Sequence, residues 1–362
     1  MNSQDLLQPT ARLLEAAGLR GDFHLLPLAG GANNKVFRVE VNGRGALLKA
    51  YFQHPEDPRD RLGVEFAFSR FAWEHGVRCI PRPLAYDPVH RLGLYEFVEG
   101  RRIQSEEITE GLVLQALEFY RALNRERGGP DARALAGASE ACFSIAEHLT
   151  CVERRLTALK KGEASSPLHQ EALSFIQKDL SQAWERIEES VVRGAQEHGF
   201  SLGEEILAEE RRLSPSDFGF HNALLAEDGR LRFIDFEYAG WDDPAKTVCD
   251  FFCLQGVRVP EVYFSLVAKR VAHDLPQPER QLKRIDLLIP IHQIKWCCIL
   301  LNDFLPAGLE RRRFADEDHR HAGQKPVVRH PLAEAAGQKA IQLEKARTAL
   351  KGLRERDPHG VC

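Results

Sequence analysis

The stretch LSPSDFGFHNALLAEDGRLRFIDFEYAG, residues 213–240, decides how the rest of the chain is read. It places Asp217 five residues before Asn222, followed by an apolar run, an Asp-Gly turn at 228–229, a second apolar run, and Asp235 where that run ends. Strand, tight Asp-Gly turn and strand form a hairpin signature, so Asp217 and Asn222 stand at its entry and Asp235 at its exit. No other aspartate in the chain has an asparagine five residues after it. Taken singly, each of the three is more often a turn former or a cap. Their joint order carries the reading.

The composition sets the frame around this stretch. With 362 residues and 43% hydrophobic content, the chain can bury a sizeable core, and its length suggests two domains or one domain in two lobes. A net charge of -4 and a pI near 6.4 provide no basic field, so nucleic acid is not an expected partner. The most apolar run, LLIPIHQIKWCCILL at 287–301, is broken by Pro290, His292, Gln293 and Lys295, and reads as a buried helix, not a membrane span. The segment MNSQDLLQPTARLLEAAG lacks an apolar h-region, so no signal peptide is expected. The eight cysteines form no Cys-x-x-Cys pair, and most lie in apolar helix-like runs; reduced, buried thiols in a cytoplasmic protein are expected.

Along the chain, strand-like runs give way to helix-like ones near Gly100, which predicts lobes over 1–99 and 100–362. FHLLPL (23–28), KVFRVEV (35–41) and GALLKAYF (45–52) read as an antiparallel meander. A helix follows, with Asp57 as N-cap, Pro58 as its first residue and Gly76 as its stop. RPLAYD and LGLYEFVEG then complete the sheet. Beyond Gly100, Ser105 opens an amphipathic helix, and 139–199 reads as two helices broken at KKGEASSP. Residues 306–331 are charged and read as an exposed, mobile loop, with a last helix over 333–354.

Phosphoryl transfer needs a carboxylate to orient or deprotonate the attacking hydroxyl, oxygen ligands for magnesium, and a lysine on the nucleotide phosphates. The letters Asp217-Phe-Gly invite a reading as the metal aspartate of a protein kinase. That would require a catalytic Asp-x-x-x-x-Asn upstream, yet the nearest upstream aspartate, Asp179, has Trp184 at the fifth position. With Asp217 as the catalytic residue instead, Asn222, the hairpin and Asp235 all fall in order.

The run Leu213–Phe252 resembles the aminoglycoside phosphotransferase and choline kinase family, the small-molecule relatives of protein kinases. That family reads His-Gly-Asp, Asn five residues on, a hairpin, then Asp-x-x-x-Ala-Gly-Trp-x-Asp-Pro. Asp217, Asn222, Asp235, Ala239, Gly240, Trp241, Asp243 and Pro244 match, whereas Pro215 and Ser216 stand where His and Gly are usual. The resemblance implies a two-lobed, protein-kinase-like α+β fold, with an antiparallel sheet in the N-lobe and a mainly helical C-lobe. It also implies ATP and Mg2+ as cofactors, Asp217 as catalytic base, Asn222 and Asp235 on magnesium, and Asp250 as an acid bracing the loop. Lys49, central in an apolar strand, would contact the phosphates, held by Glu65 sixteen residues later. Gly30, Gly31 and Asn33 would present amides to the phosphates, and backbone groups from Glu96 to Val98 would meet adenine.

The expected activity is therefore phosphorylation of a hydroxyl on a sugar, amino alcohol or aminoglycoside-like acceptor. Protein substrates are disfavoured, since no Ala-Pro-Glu segment follows Asp235. A pseudokinase that binds nucleotide without turnover, and a nucleotidyl transferase, are the rival readings. Ser214 and Ser216 lack a Gly-x-Ser-x-Gly elbow, which argues against a hydrolase. His221 has no partner at metal-ligand spacing and reads as loop packing or substrate-facing. His292 reads as facing a core or cleft wall. Glu237, Asp242 and Asp243 read equally as contacts for a cationic acceptor or as a solvated acidic rim.

Overall fold

Alternation along KVFRVEV buries one face of a strand: Phe37, Val39 and Val41 are enclosed while Glu40 is exposed. In the computed structural model, which describes residues 3–28, 34–53, 59–305 and 331–356, this segment belongs to a five-stranded antiparallel sheet. Ahead of the sheet lies helix α1 (Ser3–Ala16). The first three strands are β1 (Phe23–Pro27), β2 (Lys35–Val41) and β3 (Arg44–Ala50). A two-residue Asn42-Gly43 turn at positive φ joins β2 to β3, as the twist of a hairpin requires. Helix α2 (Arg61–Glu74) precedes β4 (Pro83–Asp87) and β5 (Leu92–Glu96), giving the order β1-β2-β3-β5-β4. Leu6, Leu13 and Leu14 of α1 pack with Phe37, Val39, Leu48, Leu92 and Leu94 into a small core of their own. The sequence reading did not recognise α1 as part of this layer.

The punctuation of two helices differs from expectation. Asp57 and Pro58 lie outside the described residues; α2 begins at Arg61, and Asp60 caps it by accepting from Gly63 N at 3.0 Å. Ser105 opens a single 3-10 turn, and the amphipathic helix α3 (Glu110–Leu123) is capped by Thr109.

After β6 (Arg101–Arg102) and α3 come the one-turn α4 (Pro130–Arg133), α5 (Ile145–Lys160), α6 (Pro167–Ser174) and α7 (Ser181–Glu197). A π-helical segment, Phe175–Leu180, joins α6 to α7, so the second arm of the expected helix pair continues through it. Next are β7 (Arg212–Ser214), β8 (Ala223–Leu225), β9 (Leu231–Phe233), β10 (Gly240–Asp242), α8 (Pro244–Cys253), α9 (Phe264–His273) and α10 (Pro278–Leu300). Helix α11 (Pro331–Arg356) ends the described chain. The charged stretch 306–330, read as an exposed loop, lies outside the described residues. By length and composition α10 could cross a membrane. It packs instead against α5, α7, α8, α9 and α11, burying Ile291, Ile294, Cys297 and Cys298. This is the buried helix that the broken apolar run predicts.

Beneath the large core lies a buried chain of charged groups. Asp250 accepts from His292 Nδ1 at 2.8 Å, Lys295 Nζ at 2.8 Å and Trp296 Nε1 at 2.8 Å. His292 Nε2 lies 3.2 Å from His148 Nδ1, and His148 Nε2 lies 3.1 Å from Asp243, which also accepts from Arg284. Asp242 and Asp243 are fully buried and Glu237 is 3% exposed, so none of the three forms a solvated rim or stands open to an acceptor. Asp242 is neutralised by Lys246 at 2.5 Å, and Asp243 caps α8 through Ala245 N.

Burial holds the His292 imidazole down at about 3, against an ordinary 6.5, and pushes His148 down as well. Below pH 6.5 the unfolded chain takes up protons that the folded chain refuses. Stability is therefore complete above that value and lost as pH falls toward 3. Burial also raises Asp242 to about 6, which opposes this trend, so the His292 share is read by difference: between pH 6.5 and 5 the stability advantage of wild type over His292→Gln in urea unfolding should shrink by about 1 kcal/mol per pH unit, and a constant advantage would contradict a neutral His292.

Candidate active site

Pairing of β7 with β10 closes the segment that holds both key carboxylates. Arg212, Leu213 and Ser214 stand opposite Asp242, Trp241 and Gly240, while Ala223 of β8 stands opposite Phe233 of β9. The loop 215–222 and the loop 234–239 therefore run side by side, and Ile234 N donates to Asn222 O at 2.9 Å. Gly240 is pressed against Ala136–Ala138: a Cβ there would lie 2.4 Å from Ala136 O and 2.6 Å from Ala138 N, which only glycine avoids. This close approach gives a physical reason for the Ala-Gly-Trp letters.

Within the first loop, Asn222 Nδ2 reaches Asp217 O at 3.1 Å and Asp217 Oδ2 at 3.2 Å. Committing the amide nitrogen to Asp217 leaves Asn222 Oδ1 accepting no hydrogen bond among the described residues. His221 Nε2 stands 3.2 Å from Asp217 Oδ1, and its buried Nδ1 has no hydrogen-bond partner. The structure thus places His221 beside Asp217 on the 215–222 loop, with its side chain 22% exposed. The Asp217 side chain is 31% exposed, open enough to meet a ligand.

Across the cleft, Lys49 Nζ lies 2.6 Å from Glu65 Oε2 and 2.5 Å from Asp235 Oδ1. Burial alone would push the ammonium down, but Asp235, Glu65 and Glu237 overcome it and hold Lys49 well above the ordinary lysine range. Burial pushes Glu65 up while Lys49 opposes that shift. Sequence reasoning missed what fixes Glu65: Tyr51 Oη donates to Oε2 at 2.7 Å and contacts Tyr95 Oη at 2.8 Å, and Phe236 N donates to Oε1 at 3.2 Å. The position of Tyr51, two residues after Lys49, was the available signal, since alternate residues of an extended chain share a face. Asn34 adds a second tie between the halves, donating to Glu237 at 2.6 Å and accepting from Phe52 N at 3.1 Å.

The donor set of Asn222 and Asp235 fits a hard cation. Each offers a side-chain oxygen without a hydrogen bond among the described residues, Oδ1 of Asn222 and Oδ2 of Asp235, and magnesium is usually held by one or two protein oxygens together with substrate phosphates and water. No larger group of ligating side chains occurs among the described residues. Of the other expected contacts, Gly30, Gly31 and Asn33 lie outside the described residues. Glu96 N–H is spent on Arg82 O at 2.8 Å, so it is not a free donor for adenine. Val98 N–H has no partner among the described residues and keeps that capacity. Asp250 does not touch the loop; it reaches it through Lys246, which lies 3.5 Å from Asp250 and 3.3 Å from Ser216 Oγ.

The model of the phosphotransferase enzyme family matches residues 24–275. The chain belongs to this family. A comparison with curated protein sequences finds no match. Among solved structures, choline kinase from Cryptosporidium parvum Iowa II aligns at 12% identity with a TM-score of 0.54, covering 99% of each chain. A choline/ethanolamine kinase family protein from Mesorhizobium loti aligns at 16% identity and 0.52, covering 96% of this chain and 99% of its own. Spectinomycin phosphotransferase in complex with ADP and spectinomycin aligns at 12% and 0.54, covering 94% and 98%. At these identities the likeness shows the fold: two-lobed, kinase-like and α+β.

Against the family pattern, the departure at Ser216 has a measurable side. Ser216 has φ 64, in the left-handed region that glycine occupies freely, which accounts for glycine being usual there. Its hydroxyl donates to Ser139 O at 3.3 Å and accepts from Lys246. Ser216→Gly and Ser216→Ala both remove the hydroxyl, but only alanine keeps the backbone penalty. The glycine variant should be the more stable by about 1 kcal/mol in urea unfolding; equal stabilities would refute this account of position 216.

Proposed function

We propose that this chain transfers the γ-phosphoryl group of ATP to a hydroxyl of a small-molecule acceptor of the sugar, amino alcohol or aminoglycoside type. The observation that carries this reading is that Ile234 N, next to Asp235 and the lysine it holds, donates to Asn222 O, which sets that pair beside the loop of the part-exposed Asp217, whose carboxylate turns the asparagine. Asp217 accepts the proton of the acceptor hydroxyl as the oxygen attacks, and Asn222 steadies the carboxylate for that task. Lys49, oriented by Glu65, presents its ammonium to the nucleotide phosphates, and the backbone at Val98 meets the adenine edge. Magnesium, held by Asn222 and Asp235, would neutralise charge on the phosphates. Choline and spectinomycin, which appear in the names of structural neighbours, illustrate the acceptor class without selecting from it.

The pseudokinase alternative rests on Pro215. The hydrogen bonds between Asn222 and Asp217 argue against it, because the loop keeps its contacts without the usual histidine. The deciding assay measures magnesium-dependent ADP release against pooled sugars, amino alcohols and aminoglycosides. Acceptor-dependent turnover should fall by at least about 100-fold in Asp217→Asn, with nucleotide affinity retained. Saturable Mg-ATP binding with no turnover on any acceptor would favour the alternative, and failure to bind nucleotide would overturn both readings.

A further inference from the structure

Away from this cleft, the described residues enclose a cavity of about 270 Å3 between α3, β7 and α9. Leu117, Tyr120 and Val271 contribute to its walls, and five arginines line it, Arg121, Arg125, Arg127, Arg212 and Arg270, against only Glu118 and Asp274. Those two carboxylates are already engaged. Arg121 lies 3.2 Å from Asp274 and 3.9 Å from Glu118, and Arg125 lies 3.8 Å from Glu118. Among the described residues, no carboxylate lies within ion-pair distance of Arg127, Arg212 or Arg270.

Arg212 is the built part of the cavity. It is 4% exposed, and its guanidinium donates to carbonyl oxygens alone: Glu209 at 2.7 Å, Arg211 at 3.0 Å and Asp274 at 2.6 Å. Carbonyls fix the planar fork but leave its full charge uncancelled. Burial, above all, and the neighbouring Arg127 weigh against that charge, and Tyr120, Asp274 and Glu210 offset them only in part, so the fold keeps a crowded cation with no carboxylate in direct contact among the described residues. Arg127 likewise donates only to a carbonyl, Asn124 O at 3.1 Å. Guanidinium forks match phosphate oxygens in pairs, and the volume suits a diphosphate or a small phosphate ester better than a polymer.

We infer that this cavity binds a small phosphorylated molecule through Arg127, Arg212 and Arg270, at a site separate from Lys49, Asp217 and Asp235. Asn124, on its wall, donates to Leu213 O at 2.9 Å and accepts from Leu213 N at 2.8 Å. The ligand therefore sits one side chain away from the strand that delivers Asp217.

Inorganic pyrophosphate is a suitable probe, titrated calorimetrically into the unaltered full chain without magnesium, with the arginine variants separating this site from the one at Lys49. Saturable binding is expected, weakened at least about tenfold when Arg127 and Arg270 are both changed to Gln. Changing both to Lys keeps the charge but not the fork and should restore only part of the loss. Both side chains reach the surface, and the single changes Arg127→Gln and Arg270→Gln provide the same readout should the pair unfold. Unchanged affinity in the Gln variants, or no saturable binding up to about 1 mM pyrophosphate, overturns the inference.

Discussion

A single ammonium group ties the two halves of this protein together. Lys49 comes from β3, Glu65 from α2 and Asp235 from the far end of the catalytic hairpin, and the three meet in a space where the lysine is 5% exposed. Removing Lys49 strands the buried Glu65 carboxylate, and an uncompensated buried charge costs several kcal/mol. The pairing accordingly joins the sheet and α2 to the hairpin. Tyr51, Tyr95 and Phe236 N support the same carboxylate, so the tie extends into the strands on one side and the loop on the other.

A second constraint operates below the cleft. Asp242 and Asp243 read from the sequence equally as contacts for a cationic acceptor or as a solvated rim, and Asp250 as an acid bracing the loop. They are instead the anionic half of a dry network whose cations come from Lys246, Arg284 and Lys295. Such groups are tolerated in a core only when paired and hydrogen-bonded, and here each is. Lys246 carries the effect to Ser216, next to Asp217, so the 215–222 loop rests on the network where Pro215 replaces the usual histidine.

How much of this was legible beforehand follows from the range of the forces involved. The strands over 23–52 and 83–96 and the hairpin at 223–233 announce themselves through local alternation and turn chemistry, and the structure has them close to those limits. Asp217, Asn222, Lys49, Glu65 and Asp235 could be picked out because their spacing is set by strands and one helix. Long-range partners were not visible. His292 meets His148 across 144 residues and Asn34 meets Glu237 across 203, and nothing local in the letters encodes such pairs. The misreading of Asp242 and Asp243 as surface charge has the same origin, since burial depends on what packs over a residue. The cap at Asp60 was missed because Asp57 and Pro58 offered an equally good local signal three residues earlier.

The closure of β7 on β10 also sorts the contacts of the site by their reach along the chain. The two strands and the hairpin between them lie within residues 212–242, so this unit forms from contacts short in sequence. Lys49, by contrast, must find Asp235 across 186 residues of chain. The entropy of closing so long a loop is repaid only once both ends are already shaped. The segment that carries Asp217 and Asn222 is thus held by contacts local in sequence, whereas Lys49 reaches it only from the far end of the chain.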